Sequence, residues 1–171
     1  METRNIQKLT ILPFETSVNS ALQTQAADWL TNEARNRVQD TGYFTMINPS
    51  TVERLQKRNR SLEKHVDAIF EGRIISLVSR DGSRQTDRVD SETGERRIVT
   101  VYMREVELEF HYSVVSSRDG EILGSQTKKD RISVNGEDRS KLNSPEELLR
   151  EIISRNMTGI GTFAASIRNG A

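Results

Sequence analysis

The first apolar run of the chain, Lys8-Leu9-Thr10-Ile11-Leu12-Pro13-Phe14, is short, β-branched and stopped by a proline, and it predicts a buried strand. From Ser17 to about Thr41 the period changes. Val18, Leu22, Ala26, Trp29, Leu30, Ala34 and Val38 recur mostly at three or four residues, which predicts a helix with one apolar face, and Gly42 suits the left-handed residue that ends it. Tyr43 to Ile47 reads as a second strand, and two strands joined by a helix imply a βαβ crossover with parallel pairing. Ser50 and Glu53 have capping-box spacing before Val52 and Leu55, so a second helix is expected from Thr51 to about Asn59.

The pattern then turns to strands. Between Val66 and Arg80, Ala68, Phe70, Ile74 and Val78 fall on one side and Ile69, Ile75 and Leu77 on the other, which predicts a central strand covered on both faces. Residues 98 to 116 alternate cleanly: Val106, Leu108, Phe110, Tyr112 and Val114 point one way, Glu105, Glu107, Glu109, His111 and Ser113 the other. Asp119-Gly120 is a hairpin signal that returns the chain through Glu121 to Val134, and Asn135-Gly136 ends that strand. Ser144-Pro145-Glu146-Glu147 combines an N-cap, a proline at the first helical position and a glutamate three residues on. It opens a last helix reaching Ile167, in which Gly159 and Gly161 would each cost about 1 kcal/mol relative to alanine, so a kink or a close approach to the sheet is expected there. The order is β-α-β-α-β-β-β-α: an α/β (α+β) fold with one mixed sheet, parallel first and antiparallel afterwards.

Composition narrows the reading. The 171 residues fit one domain, with a core over about residues 8 to 168, and three prolines and ten glycines are scattered with no linker tract. The 25 Lys and Arg balance 25 Asp and Glu, which removes the usual electrostatic reason to expect nucleic acid or an anionic membrane as partner. There are no cysteines, so thiol catalysis, disulfides and cysteine-based zinc sites are excluded. No stretch reaches the ~20 apolar residues of a spanning helix. The opening Met1-Glu2-Thr3-Arg4-Asn5 lacks a signal-peptide core; it points to a chain trimmed of an upstream targeting segment, although an ordinary cytosolic start would look similar.

Candidate chemistry is sparse. His65 and His111 are the only histidines, and neither has a second histidine at helical metal-pair spacing. Glu105, Glu107 and Glu109 resemble a carboxylate cluster, but side chains two apart on a strand face sit ~7 Å from each other and are expected to meet Lys or Arg on neighbouring strands. After the first strand stands Pro13-Phe14-Glu15-Thr16-Ser17, with no glycine-rich phosphate loop. Between Glu53 and Lys64, Arg54, Lys57, Arg58, Arg60 and Lys64 outnumber two acids, a run expected to be a solvated face. Residues 80 to 97 are the most unusual stretch: five arginines, Arg84, Arg88 and Arg96 among them, interleave with five acids including Asp90 and Glu92. It reads either as a mobile hairpin tip around Glu92-Thr93-Gly94 or as a polar docking loop, and it is too polar for a membrane-inserting hairpin. No enzyme, cofactor or metal is expected.

Leu9-Thr10-Ile11-Leu12-Pro13-Phe14 before a long amphipathic helix, Thr41-Gly42-Tyr43-Phe44-Thr45-Met46-Ile47, Val66-Asp67-Ala68-Ile69-Phe70-Glu71-Gly72-Arg73-Ile74 and Asp119-Gly120-Glu121-Ile122-Leu123 together carry a resemblance. Over about residues 8 to 168 the chain resembles bacterial envelope domains of the curli-secretion CsgG type, the amino-terminal domain of TolB and LpoB-type lipoprotein activators of penicillin-binding proteins. The resemblance implies a periplasmic domain tethered to the outer membrane through a lipidated amino-terminal cysteine, which this sequence does not contain. It further implies a role in assembling or regulating envelope machinery through a protein partner, a homo-oligomer among the options, with no membrane contact except the anchor. Arg84, Arg88, Asp90, Glu92 and Arg96 in the 80 to 97 loop, with Glu105, Glu107, Glu109 and His111 on the wet strand face, are the candidate partner-binding residues. A nucleic-acid-binding module is the second reading, since the fold resembles the anticodon-binding domain, and an enzyme the third.

Overall fold

The structure, a computed structural model, describes residues 5 to 168; the polar opening at Met1 to Arg4 lies outside the described residues. Its elements are β1 (Lys8–Ile11), α1 (Ala21–Asp40), β2 (Thr45–Ile47), α2 (Pro49–Lys57), β3 (Ala68–Val89), β4 (Arg96–Ser116), β5 (Ile122–Gly136), a 3-10 turn (Arg139–Lys141), α3 (Pro145–Asn156) and α4 (Ile160–Ile167). They form one five-stranded sheet in the order β2-β1-β3-β4-β5 with its helices packed on it. β1 pairs in parallel with both β2 and β3, while β3-β4-β5 is an antiparallel meander. The mixed sheet, its parallel first part and its antiparallel second part are as the sequence predicts.

The strand order decides where the helices go. β1 to β2 steps one way across the sheet and β2 to β3 steps back past β1, so two right-handed crossovers put α1 and α2 on opposite faces. α1, α3 and α4 close the principal core over Leu9, Ile11, Phe70, Leu108, Phe110 and Tyr112. An aromatic stack lies at its centre: Phe70 is parallel to Tyr112 at 5.5 Å, and Phe163 of α4 meets Tyr112 edge-on at 5.0 Å. α2 packs against β1 from the other side, burying Val52 and Leu55. Beyond that small cover, no helix among the described residues packs on the outer face of β3-β4-β5.

Several boundaries differ from the sequence reading, each for a local reason. α1 begins at Ala21 because the Ser20 hydroxyl accepts from Gln23 N–H, and the Gln23 amide folds back onto the backbone of Ser17 and Val18; Val18 is left 57% exposed rather than on the apolar face. α2 starts at Pro49, capped by Asn48 accepting from Ser50 N–H, so Ser50 is inside the helix and the capping-box reading fails. β2 is only Thr45–Ile47, and Tyr43 stands outside it under the Arg168 guanidinium, 4.1 Å from the ring centre. In β3 a bulge at Ile74/Ser76 reverses the alternation, so Leu77 faces Leu108 on the core side and Val78 turns outward; the strand is central but not covered on both faces. The last helix breaks between Asn156 and Ile160 instead of kinking. Gly161 allows a close approach to α1, not to the sheet: a Cβ there would lie 3.1 Å from Thr41 Cγ2 and 3.3 Å from the Arg37 carbonyl oxygen.

Candidate functional site: a projecting ribbon and the open sheet face

β3 and β4 run for 22 and 21 residues, far beyond what the core covers. β5 accompanies β4 only as far as Tyr102 opposite Gly136. Past that rung, Arg84 to Val89 pair with Val101 to Arg96 as a two-stranded ribbon, about 20 Å long at ~3.3 Å per residue. Every residue from 79 to 98 is exposed. The polar loop expected over 80 to 97 is therefore mostly strand, and the turn is confined to residues 90 to 95. The tip does fall at Glu92-Thr93-Gly94: Asp90 Oδ1 accepts from Glu92 N–H at 2.8 Å, Gly94 N–H donates to the Asp90 carbonyl oxygen at 2.8 Å, and Gly94 adopts φ 68°.

Ion pairs brace the ribbon at its base. Arg104 grips both carboxylate oxygens of Asp81 at 2.8 and 3.3 Å and donates to the Asn143 carbonyl oxygen at 2.9 Å, while Arg139 approaches Asp81 at 3.6 Å. The Arg104 hydrogen bonds hold the Asp81 carboxyl below the ordinary carboxylate range, and Asp81 in turn raises Arg104. Farther out, Arg88 pairs with Glu137 just after β5. An open cleft of about 630 Å³ lies between the ribbon base and the segment after β5, lined by Tyr102, Arg104, Glu137, Asp138, Arg139 and Ser140.

The register sorts the predicted site residues. Arg84 and Arg88 continue the outer face of the sheet, in line with Glu105, Glu107, Glu109 and His111, whereas Asp90, Glu92 and Arg96 cluster at the tip. As expected, the three glutamates meet bases on neighbouring strands: Glu105 lies 3.6 Å from Arg80 and 3.8 Å from Arg131, and Lys129 bridges Glu107 and Glu109 at 3.7 and 3.8 Å. His111 Nδ1 and Thr127 Oγ1 are 2.8 Å apart. A shallow cavity of about 330 Å³ beside His111 is lined by Leu12, Pro13, Glu15, Glu71, Arg73 and Ser113.

Apolar residues on the ribbon were missed by the sequence reading. Ile98 is 69% exposed and shares one face with Val89, while Val99, Val101 and Met103 form a stripe on the other. The signal was available: Ile98-Val99-Thr100-Val101-Tyr102-Met103 is a run of strong strand formers that continues the β4 pattern past the last residue the core needs. Inside the core, Tyr112 donates to Gln126, and burial pushes its phenol up to about 12. Among the described residues no three His, Asp or Glu side chains are placed to share a metal ion, and no helix is long and apolar enough to cross a membrane.

Comparison with known proteins places the fold. No family model matches the chain, and no curated protein matches it. Among solved structures it is similar to a Xanthomonas campestris protein of family DUF330, at TM-score 0.52 and 10% identity, covering 95% of this chain and 86% of that one. Looser similarity is found to the PelC dodecamer of Paraburkholderia phytofirmans (TM-score 0.46, 11% identity, 94% and 90% covered) and to the LpoB C-terminal domain of Salmonella enterica (TM-score 0.43, 12% identity, 74% and 83% covered). The DUF330 likeness is one of fold.

Proposed function

We propose that this chain is a non-enzymatic interaction module of the bacterial cell envelope, working in the periplasm at the outer membrane, and that the β3-β4 ribbon is where its protein partner docks. The observation that carries this reading is the ribbon itself. Two strands extend past the core, bury nothing and keep apolar residues in water, an arrangement that alone contributes little stability. Past Arg73, β3 is paired on one side only, and past Tyr102 so is β4; both offer backbone groups to an incoming strand. Exposed Ile98 and Met103 and half-buried Val99 and Val101 supply the apolar contacts, and Arg84, Arg88, Asp90, Glu92 and Arg96 supply charge of both signs for register. The envelope setting rests on the CsgG-, TolB- and LpoB-like motifs in the sequence, with which the DUF330-like fold is compatible.

The paired carboxylates of the outer face play a lesser part: Glu105, Glu107 and Glu109 already have cations, so that face contributes a rim beside the ribbon. The test is photo-crosslinking in envelope-expressed protein, with the probe at Val99, at Arg84 or at Gln39, exposed at the end of α1 away from the ribbon. The reading expects one protein, whether another envelope component or a second copy of the chain, captured from Val99 and Arg84 and not from Gln39. Equal capture at all three positions would count against it.

A further inference from the structure

The charges of this neutral chain are unevenly matched. On the sheet, Arg80, Arg104, Lys129 and Arg131 have acidic partners, and Arg155 of α3 holds Asp130 of β5. Lys57, Arg58, Arg60 and Lys64, by contrast, are exposed at the end of α2 and in the loop after it, and among the described residues none has an acidic side chain in ion-pair reach. Only Glu63 opposes them within that segment.

This loop is not a loose tail. Arg58 and Arg60 N–H both donate to the Leu55 carbonyl oxygen, Asn59 takes a left-handed φ of 51°, and His65 and Val66 N–H both donate to that of Leu62. The exposed basic side chains are therefore carried on a turn held by its own backbone hydrogen bonds. The turn sits at the end of the sheet where β1 begins: Asp67, directly after it, accepts from Gln7 and Lys8 N–H at 3.0 and 2.8 Å. Tyr43, 52% exposed beneath Arg168, lies at the same end, because Thr45 N–H donates to the Gln7 carbonyl oxygen. The ribbon leaves from the opposite end, and its tip lies roughly 70 Å along β3 at ~3.3 Å per residue over its 22 residues.

We infer that this end of the molecule, Lys57, Arg58, Arg60 and Lys64 with Tyr43 at the same end of the sheet, docks on an anionic phospholipid surface. A cluster of exposed cations without acidic partners, at the same end of the sheet as an exposed tyrosine, matches a flat sheet of phosphate headgroups, which demands charge and no defined groove. A nucleic acid would favour a basic groove with stacked aromatics, and Tyr43 already carries the Arg168 guanidinium on its ring. Each cation near such a surface is worth about fivefold in binding, so four give on the order of several-hundred-fold. The inference does not rest on the ribbon's role, and its test leaves the ribbon intact.

The experiment is co-sedimentation of the whole chain with vesicles of phosphatidylcholine alone or mixed with phosphatidylglycerol, at low and at physiological salt. Binding to the anionic vesicles only, weakening as salt rises, is expected. The double variant Arg58→Gln/Arg60→Gln should bind about 25-fold more weakly, and Arg58→Lys/Arg60→Lys like the unmodified chain. Lys129→Gln/Lys141→Gln removes the same charge elsewhere and should change binding less than about twofold. Circular dichroism would confirm that each variant is folded. Failure to bind anionic vesicles at low salt, equal binding to neutral ones, or equal loss in both glutamine variants would overturn the inference. So would tighter binding to a mixed-sequence single-stranded oligonucleotide than to the anionic vesicles.

Discussion

Gly72 is the position where the core should tolerate least. A Cβ there would lie 2.3 Å from Phe14 Cε1 and 2.6 Å from both Cδ1 and Cζ, well inside contact distance. Phe14 is 4% exposed and its ring lies 6.3 Å from both Phe70 and Phe110. Its backbone is pinned as well, since Phe14 N–H donates to Thr31 Oγ1 at 2.9 Å and Glu15 bridges to Arg73 on β3. In Gly72→Ala the ring must be compressed, costing about 1–3 kcal/mol, or expelled, costing about 3–5 kcal/mol as in a phenylalanine-to-alanine truncation. We expect Gly72→Ala to destabilise by about 3 kcal/mol, lowering the urea midpoint by about 1–3 M at a slope of about 1–3 kcal/mol per M. The assay is a double-mutant cycle with Phe14→Ala in urea unfolding. Once the ring is gone the alanine methyl has room, so the second substitution should add little and the coupling should reach about 2 kcal/mol or more. Additivity within about 0.5 kcal/mol would refute the claim that Gly72 exists to seat Phe14.

Two further predictions concern the helix α3. Ser144→Ala removes the hydroxyl that accepts from Glu147 N–H at 3.2 Å and should cost about 1 kcal/mol, read as a lowered thermal midpoint. Arg155 holds Asp130 on β5 through two hydrogen bonds of 2.5 and 2.6 Å, which keeps the Asp130 carboxyl below the ordinary 3.8. A depressed carboxyl contributes stability above its unfolded value and loses it as pH falls through the folded one. Asp130→Asn should therefore be less stable at neutral pH by about 1 kcal/mol or less, the pair being largely solvated, and the gap should close below about pH 4. A gap that persists in acid would contradict this origin.

What the sequence made legible was local. The β4 alternation, the Asp119-Gly120 turn, the positive φ of Gly42 and the Ser144 cap each depend on a few neighbouring residues, and each stands as predicted. Errors came where two local signals competed or where a partner strand decided. Asn48-Pro49 outranked Ser50-Glu53 as a helix start because proline fixes its φ in the helical range. The bulge at Ile74/Ser76 is set by pairing with β4, so no period in β3 alone could show Leu77 turning inward. The candidate site was half legible for the same reason. The charges of a ribbon with both faces in water read as a loop over 80 to 97, and the apolar residues Ile98, Val99, Val101 and Met103 on its two faces were passed over.

The central claim, that the ribbon binds a partner and does not hold up the fold, can be tested by removing it. Arg84 and Val101 face each other in the register, so residues 85 to 100 can be replaced by an Asn-Gly turn without disturbing the remaining ladder. The decisive measurement is the affinity of the trimmed chain for the protein captured from Val99, set beside its unfolding free energy. We predict stability within about 1 kcal/mol of the full chain, since a two-stranded ribbon is marginal by itself, and loss of partner binding. Undiminished affinity in a stably folded trimmed chain would contradict the account.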